Sequence, residues 1–400
     1  MARLVFFNRF YWPDEPATAQ LLVDLAEALA ADQHDVSVVT SRPHGSRVFE
    51  QRNRVDIHRV RSLRLNGKGL LPRILDLVTF YPGAFLLLLR RVKRGDIIVA
   101  MTDPPLSGIL AAAVAKLRGA KLVHWVQDIY PEIAVLLTEQ RWLLASRPAR
   151  DAAWRAARAC FVPGETMANA LLAARVPLSR IIVSPNWAPA GLRPPDAQNI
   201  AALRARWNLS DKFIAVYSGN LGRVHDLDPL LEVAALLQPD PTFALVFIGG
   251  GAGREPLQRA VQQRGLTNVH FHPAQPREHL SVSLGVGDVH FVTLKPGAER
   301  AVFPSKLYGI AQVGRPVVFI GSPDSDIACN VTNHQFGAVF TRDQAPAIAT
   351  WLANLRTDPS RHSQLSAAAL AFAPRGREHA LQQWRQLLAS PELAASPPRL

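Results

Sequence analysis

Four hundred residues exceed what one hydrophobic core usually organises, so two domains are expected. Two cysteines, Cys160 and Cys329, exclude a disulfide framework, no Cys/His run has zinc spacing, and a reducing cytosol fits best. The net charge of +13 suits an anionic partner; without an RNA-binding signature, zinc finger or long basic tail, nucleic acid is the weakest candidate beside phosphorylated small molecules and an acidic membrane surface.

Along the chain, strand-like apolar runs alternate with helical ones, the pattern of α/β units around parallel sheets. Met1–Phe10 reads directly as a strand, so no signal peptide is expected. "ATAQLLVDLAEALAA" follows with helical periodicity, then "DVSVVT", "VDIHRV", "DIIVAM", "KLVHWV", "ACFVPG" and "RIIVSPNWAP". Between them lies "ILDLVTFYPGAFLLLLRRVKR", Ile74–Arg94. Its apolar part is short for a membrane span and is interrupted by Asp76, Pro82 and Gly83. A buried or half-buried helix pair, a surface-lying element whose basic flank grips acidic headgroups and, last, a transmembrane helix all remain open.

The Pro- and Ala-rich "APAGLRPPDAQN" reads as a linker. A second series then begins: "FIAVYSGNLG", "FALVFIGGGAG", "NVHFHPA", "DVHFVTL" and "RPVVFIG". The chain thus reads as two doubly wound, Rossmann-like α/β domains, residues 1–190 and 191–375. Residues 376–400 form an amphipathic helix and a frayed tail that packs back towards the first domain. Ligands of such sheets bind beyond the carboxyl ends of the strands, so a cleft between the halves is the default site.

Three loops of the second half carry candidate chemistry. In "YSGNLGRVHDLDPLLEVA", Gly219 and Gly222 admit a ligand close to the backbone, while Asn220, Arg223 and His225 add donors. The spacing is neither that of a P-loop nor G-x-G-x-x-G. "FIGGGAGREPLQRA" repeats the arrangement with Gly250, Gly251 and Arg254. In "VFPSKLYGIAQVGRPVV", Ser305 is the expected N-cap of a helix that then opens with Lys306, a cation opposing the helix dipole. A diphosphate beyond the helix start would explain it: Ser305, the first amides and Lys306 would converge on one anion. "DLD" (Asp226–Asp228) and "DSD" (Asp324–Asp326) match a metal-binding D-x-D in form but read as helix-cap or loop residues.

"YSGNLGRVHD", "FIGGG", "PSKLYGIAQVGRPVV", "YWPDEPATAQLL", "HWVQDIYPE" and "SPNW" together resemble a bacterial group-1 (family 4) glycosyltransferase, in order and over nearly the whole chain. The nearest subgroup builds exopolysaccharides, O-antigen and colanic acid. The resemblance implies the GT-B fold, with the nucleotide sugar on the C-terminal domain and the acceptor on the N-terminal one. It implies a retaining, metal-independent hexosyltransferase without a resident cofactor. Such an enzyme would move sugar from a nucleoside-diphosphate sugar, a UDP-sugar by preference, to a lipid-linked or saccharide acceptor. It would work in the cytoplasm at the inner face of the plasma membrane, held peripherally by its basic N-terminal domain. Glu299 falls where the family's glutamate faces the donor sugar. Lys306, Arg223 and the loop Asn220–His225 fall at diphosphate positions; His272, Leu307 and Tyr308 join the donor side. Asp128, Thr18, Gln20, His124 and Gln127 fall on the acceptor side, with Asp128 among the catalytic group.

Two departures stand out. The family's second glutamate, for ribose, is replaced at its helical position by Gly309, and the usual Arg and Lys of the phosphate loop appear as Asn220 and His225. A nucleotide-sugar or lipid-binding protein without turnover, and a GT-B UDP-GlcNAc epimerase, are the alternatives.

Overall fold

The computed structural model describes residues 2–14, 16–63, 70–373 and 375–394, with backbone only at 70–74, 375, 392 and 394. The chain divides into two compact units, Met1–Asn186 with Glu378–Leu400, and Trp187–Arg377.

The first unit is built on eight strands: β1 (Arg3–Phe7), β2 (Asp35–Ser41), β3 (Phe49–Arg52), β4 (Val55–Val60), β5 (Ile97–Ala100), β6 (Lys121–Trp125), β7 (Ala159–Val162) and β8 (Ile181–Val183). They lie in the order β3-β4-β2-β1-β5-β6-β7-β8, parallel except for β3 against β4. The central strands are apolar throughout because helices cover both faces. The antiparallel β3 has no apolar run to announce it. It depends on a tight turn in which Asn53 and Arg54 both take positive φ (47° and 67°), the geometry that suits hairpin twist.

The segment read as a helix pair or surface element is a single helix, Leu70–Arg91, continuous through Pro82. Phe80, Ala84 and Leu88 bury one stripe, while Leu75, Val78 and Leu86 are exposed on another. Gly83 lets it approach the sheet, since a Cβ there would stand 2.5 Å from Val60 Cγ1. Among the described residues, no helix is long and apolar enough to cross a membrane.

The helix Arg375–Ala389 closes this unit. Its Trp384 is fully buried, stacked on Phe161 (centroids 4.1 Å, 5° between planes) and edge-on to Trp125 at 5.7 Å. Gln383 donates to Val183 O at 2.8 Å, and Arg385 pairs with Asp32 at 2.7 Å. Most of the tail read as frayed, residues 395–400, lies outside the described residues.

The second unit holds six parallel strands: β9 (Phe213–Ser218), β10 (Phe243–Ile248), β11 (Val269–His272), β12 (Val289–Thr293), β13 (Val317–Ile320) and β14 (Gly337–Phe340). Their order is β11-β10-β9-β12-β13-β14. The chain thus winds outward one way from β9 and then the other way from β12. This is the Rossmann order, and its switch point lies between those two strands. The loops leaving β9 and β12 must flank one crevice, and they carry Gly219–His225 and Glu299–Lys306 respectively. The short edge strand β14 (GAVF) shows no alternation a sequence reading could use.

Candidate active site

At the switch point of the second unit, the Gly-rich loops after β9 and β10 lock together. Leu221 N donates to Gly250 O at 2.7 Å and Gly253 N to Leu221 O at 2.8 Å. Gly249 (φ +135°) is indispensable to this approach, because a Cβ there would stand 2.1 Å from Gly219 O. Gly251 is equally tight against Asn220 Oδ1 (2.3 Å), whereas a Cβ on Gly250 would meet nothing. Gly219 itself takes φ +119°. Arg254, a candidate donor in sequence, spends its Nη1 on the carbonyls of Gly249 and of His272, the latter at 2.9 Å.

The loops after β9 and β12 are tied by Lys295 N to Val224 O at 2.9 Å and by His225 Nδ1–H donating to Thr293 O at 2.7 Å. Burial, and then the Lys306 charge, depress His225 to about 3. A neutral ring whose Nδ1–H is already used presents only a lone pair at Nε2, so His225 is a strut between loops rather than a phosphate donor. Arg223 beside it is exposed.

Lys306 opens the seven-residue helix Lys306–Gln312. Ser305 does not cap that helix: it is itself helical in backbone and its side chain accepts no cap bond. The amides of Leu307 and Tyr308 are engaged with Pro304 O (3.3 Å) and Ser305 O (3.2 Å). Their side chains are core groups, with Tyr308 stacked between Phe303 and Phe372 at 6.0 and 5.7 Å. The expected ring of helix-start amides is therefore largely occupied by its own turn. What remains is the lysine. Its Nζ is buried without a hydrogen-bond partner, 3.5 Å from the centroid of the Tyr217 ring, and loss of hydration pulls its pKa well below the ordinary lysine value. Glu299, on the turn Ala298–Arg300, likewise keeps a buried Oε2 with no partner. A buried amine nitrogen and a buried carboxyl oxygen, both without partners and both on the chain that follows β12, mark a candidate ligand site.

His272 ends β11 with its ring stacked on Trp207 (3.7 Å, 9°) and its Nε2 buried and unpartnered. Trp207 was invisible as a site neighbour because it lies far off in sequence. Gly309 is buried in the helix, where an added Cβ would make only ordinary contacts with Leu284 (3.5 Å) and Leu192 (3.6 Å). Asp226, of the D-x-D-like pair, faces Arg342 at 3.4 Å, and Asp228 and Asp326 begin helices.

In the first unit, the strand order also reverses, here between β1 and β5. Beyond the carboxyl ends of β5 and β6 lies a small pocket of about 20 Å³, lined by Thr102, His124, Asp128, Tyr130, Arg150 and Trp154 among others. Asp128 N donates to Thr102 Oγ1 at 3.1 Å, and burial, then the Asp103 charge, push its carboxyl up to about 7. His124 is wholly buried. It stands 3.2 Å from Ala153 O and is depressed to about 4 by burial, and Gly108 makes room for its ring, since a Cβ would sit 2.3 Å from Cε1. It is a neutral strand histidine forming the cavity wall. Arg150 is committed elsewhere, to both Glu132 oxygens at 2.9 Å and to the Trp154 face at 3.9 Å. The cavity thus offers a titratable carboxyl and no spare cation, which suits hydroxyl groups better than an anion. Gln127 accepts from Asn186 Nδ2 at 2.8 Å, a partner from the "SPNW" stretch. Thr18 and Gln20 sit half-buried in the first turn of the helix Ala17–Ala31, away from these lining residues in sequence.

Two Rossmann-like units, the second with a buried, unpartnered lysine amine at its switch point, make this a tandem doubly wound α/β protein. Residues 18–187 match the model of the glycosyl transferase 4-like domain, and residues 199–371 that of glycosyl transferases group 1. The chain belongs to the group-1 (family 4) glycosyltransferases and has the GT-B fold. It is 29% identical over 338 residues to the putative colanic acid biosynthesis glycosyl transferase WcaI of Escherichia coli K12, covering 78% of this chain and 81% of that one. Among solved structures it resembles sucrose-phosphate synthase of Thermosynechococcus elongatus (TM-score 0.79, 20% identity, 97% of this chain and 100% of that one). It also resembles Anabaena HepE in complex with UDP and glucose (TM-score 0.74, 16% identity, 98% and 100%).

Proposed function

We propose that this glycosyltransferase moves a hexose, with retention and without a metal, from a UDP-sugar to a lipid-linked or saccharide acceptor in cell-surface polysaccharide synthesis. The observation that carries the donor half is Lys306, whose buried, unpartnered Nζ stands at the switch point of the second unit. HepE, solved with UDP and glucose, and WcaI, named for colanic acid, support the donor class and the pathway class.

Departure of the diphosphate places negative charge on its oxygens and positive character on the anomeric carbon. Lys306 and the exposed Arg223 meet the first; the free Oε2 of Glu299 accepts a hydrogen bond from the sugar. On the first unit Asp128 orients the acceptor hydroxyl, while the leaving phosphate takes its proton on the same face. The acceptor is presented at the cytoplasmic membrane surface, which the exposed Leu75, Val78 and Leu86 and the basic Arg90–Arg94 stretch favour.

The test is a screen of donor hydrolysis and transfer with UDP-, GDP- and dTDP-sugars in EDTA. UDP-sugar turnover in EDTA, reduced roughly tenfold or more by Lys306→Ala, is expected. Release of a free epimer without acceptor would establish the epimerase instead, and binding without any turnover the non-catalytic protein.

A further inference from the structure

Lys306 lacks an acceptor of any kind. No hydrogen bond reaches its Nζ, and no ion pair joins it to Glu299 or any other carboxylate among the described residues. What it has is the face of Tyr217, 3.5 Å away. Tyr217 is itself held rigidly: it is fully buried in β9, and its hydroxyl donates to Asn220 O at 3.2 Å. A ring face attracts a cation, but far less than the water that a buried ammonium gives up.

The neighbouring groups do not compensate. From the β9 loop, His225 is neutral and depressed to about 3, and Arg223 is exposed. From β12, His290 is fully buried, 2.7 Å from Leu284 O, and also depressed to about 3. From the turn after β12 comes Glu299, whose Oε2 finds no partner.

We propose that Tyr217 is the resting seat of Lys306: with the donor site empty the amine lies uncharged on the ring, and an arriving diphosphate draws it off as the amine takes up one proton from solvent. No bond in the donor changes in this step; the nitrogen lone pair accepts the proton and the ammonium then faces the diphosphate. Tyr217 is thus a positioning residue that keeps the lysine ordered and near the crevice without an anion. The inference rests on the donor assignment above. It adds that donor affinity carries a pH dependence of its own, separate from catalysis.

The experiment is calorimetric titration of the full chain with UDP-glucose, whose diphosphate has no group titrating near neutrality, in buffers of differing ionisation enthalpy. An Asp128→Asn background removes the carboxyl that burial lifts to about 7. Uptake of about one proton per ligand is expected above the resting pKa, with affinity falling up to about tenfold per pH unit. Lys306→Met should abolish both effects, and Tyr217→Phe, which keeps the ring, should preserve them. In parallel, the ε-methylene of Lys306 in ¹³C-lysine protein, assigned by its loss in Lys306→Met, should be ring-shifted upfield and titrate below the other lysines. Tyr217→Leu should remove that ring shift, and UDP-glucose should remove it from the parent protein. Binding without proton uptake, uptake that persists in Lys306→Met, or an ordinary lysine signal would overturn the proposal. If UDP-glucose does not bind, glucose is excluded as the donor sugar, and the spectrum of the free protein still decides whether the ring seats the amine.

Discussion

Asp128 and His124 come from one short stretch, yet burial drives them to opposite uses. The carboxyl rises to about 7 and the imidazole falls to about 4, so around neutrality only Asp128 changes charge. If the acceptor is oriented by the carboxylate, transfer declines as pH falls below about 7, and Asp128→Asn lowers the rate while flattening that limb. The same residue sets a stability trend of opposite sense. Its folded pKa lies above the unfolded one, so between those values the native state binds more protons and stability falls as pH rises. Asp128→Asn should therefore raise the melting temperature at pH 8, by on the order of 1–3 kcal/mol of stability, and leave it unchanged near pH 4. Gly309 invites a simpler test. Neither its backbone nor its surroundings demand glycine, so Gly309→Ala should stabilise the helix by about 0.5–1 kcal/mol.

The element scale decides how the loops are held. The β9 and β10 loops meet backbone to backbone at Gly219 and Gly249. Gly249→Ala should push them apart, costing more than about 2 kcal/mol through strain at positive φ and overlap, and should abolish UDP-glucose binding seen by calorimetry. The helix Arg375–Ala389 is the corresponding fixture of the first unit. With Trp384 seated on Phe161, Trp384→Ala should cost about 3–5 kcal/mol by chemical denaturation.

Across the whole molecule, charge is the property that composition and structure share. The +13 balance is served in part by exposed Arg90, Arg91, Lys93 and Arg94, following the helix face that exposes Val78 and Leu86. Replacing the four cations with serine should weaken sedimentation with anionic vesicles, most clearly at low salt, and leave transfer to a soluble acceptor unchanged. Unaltered vesicle binding would remove that surface from the proposed membrane contact.

The alternation of apolar runs with helical periods determined the α/β class, the doubled architecture and the loops that bear Gly219, Glu299 and Lys306, because two-sided burial writes itself directly into composition. Strands without such a signature, β3 and β14, escaped, since their place depends on a turn or an edge. The tertiary structure alone decided which polar groups are free. Ser305 looked like a cap and is none, His225 looked like a phosphate donor and braces Thr293, and Leu307 and Tyr308 belong to the core. Whether a polar group is free depends on what surrounds it, and those neighbours arrive from distant elements, as Trp207 stacks on His272 and the ring of Tyr217 faces Lys306.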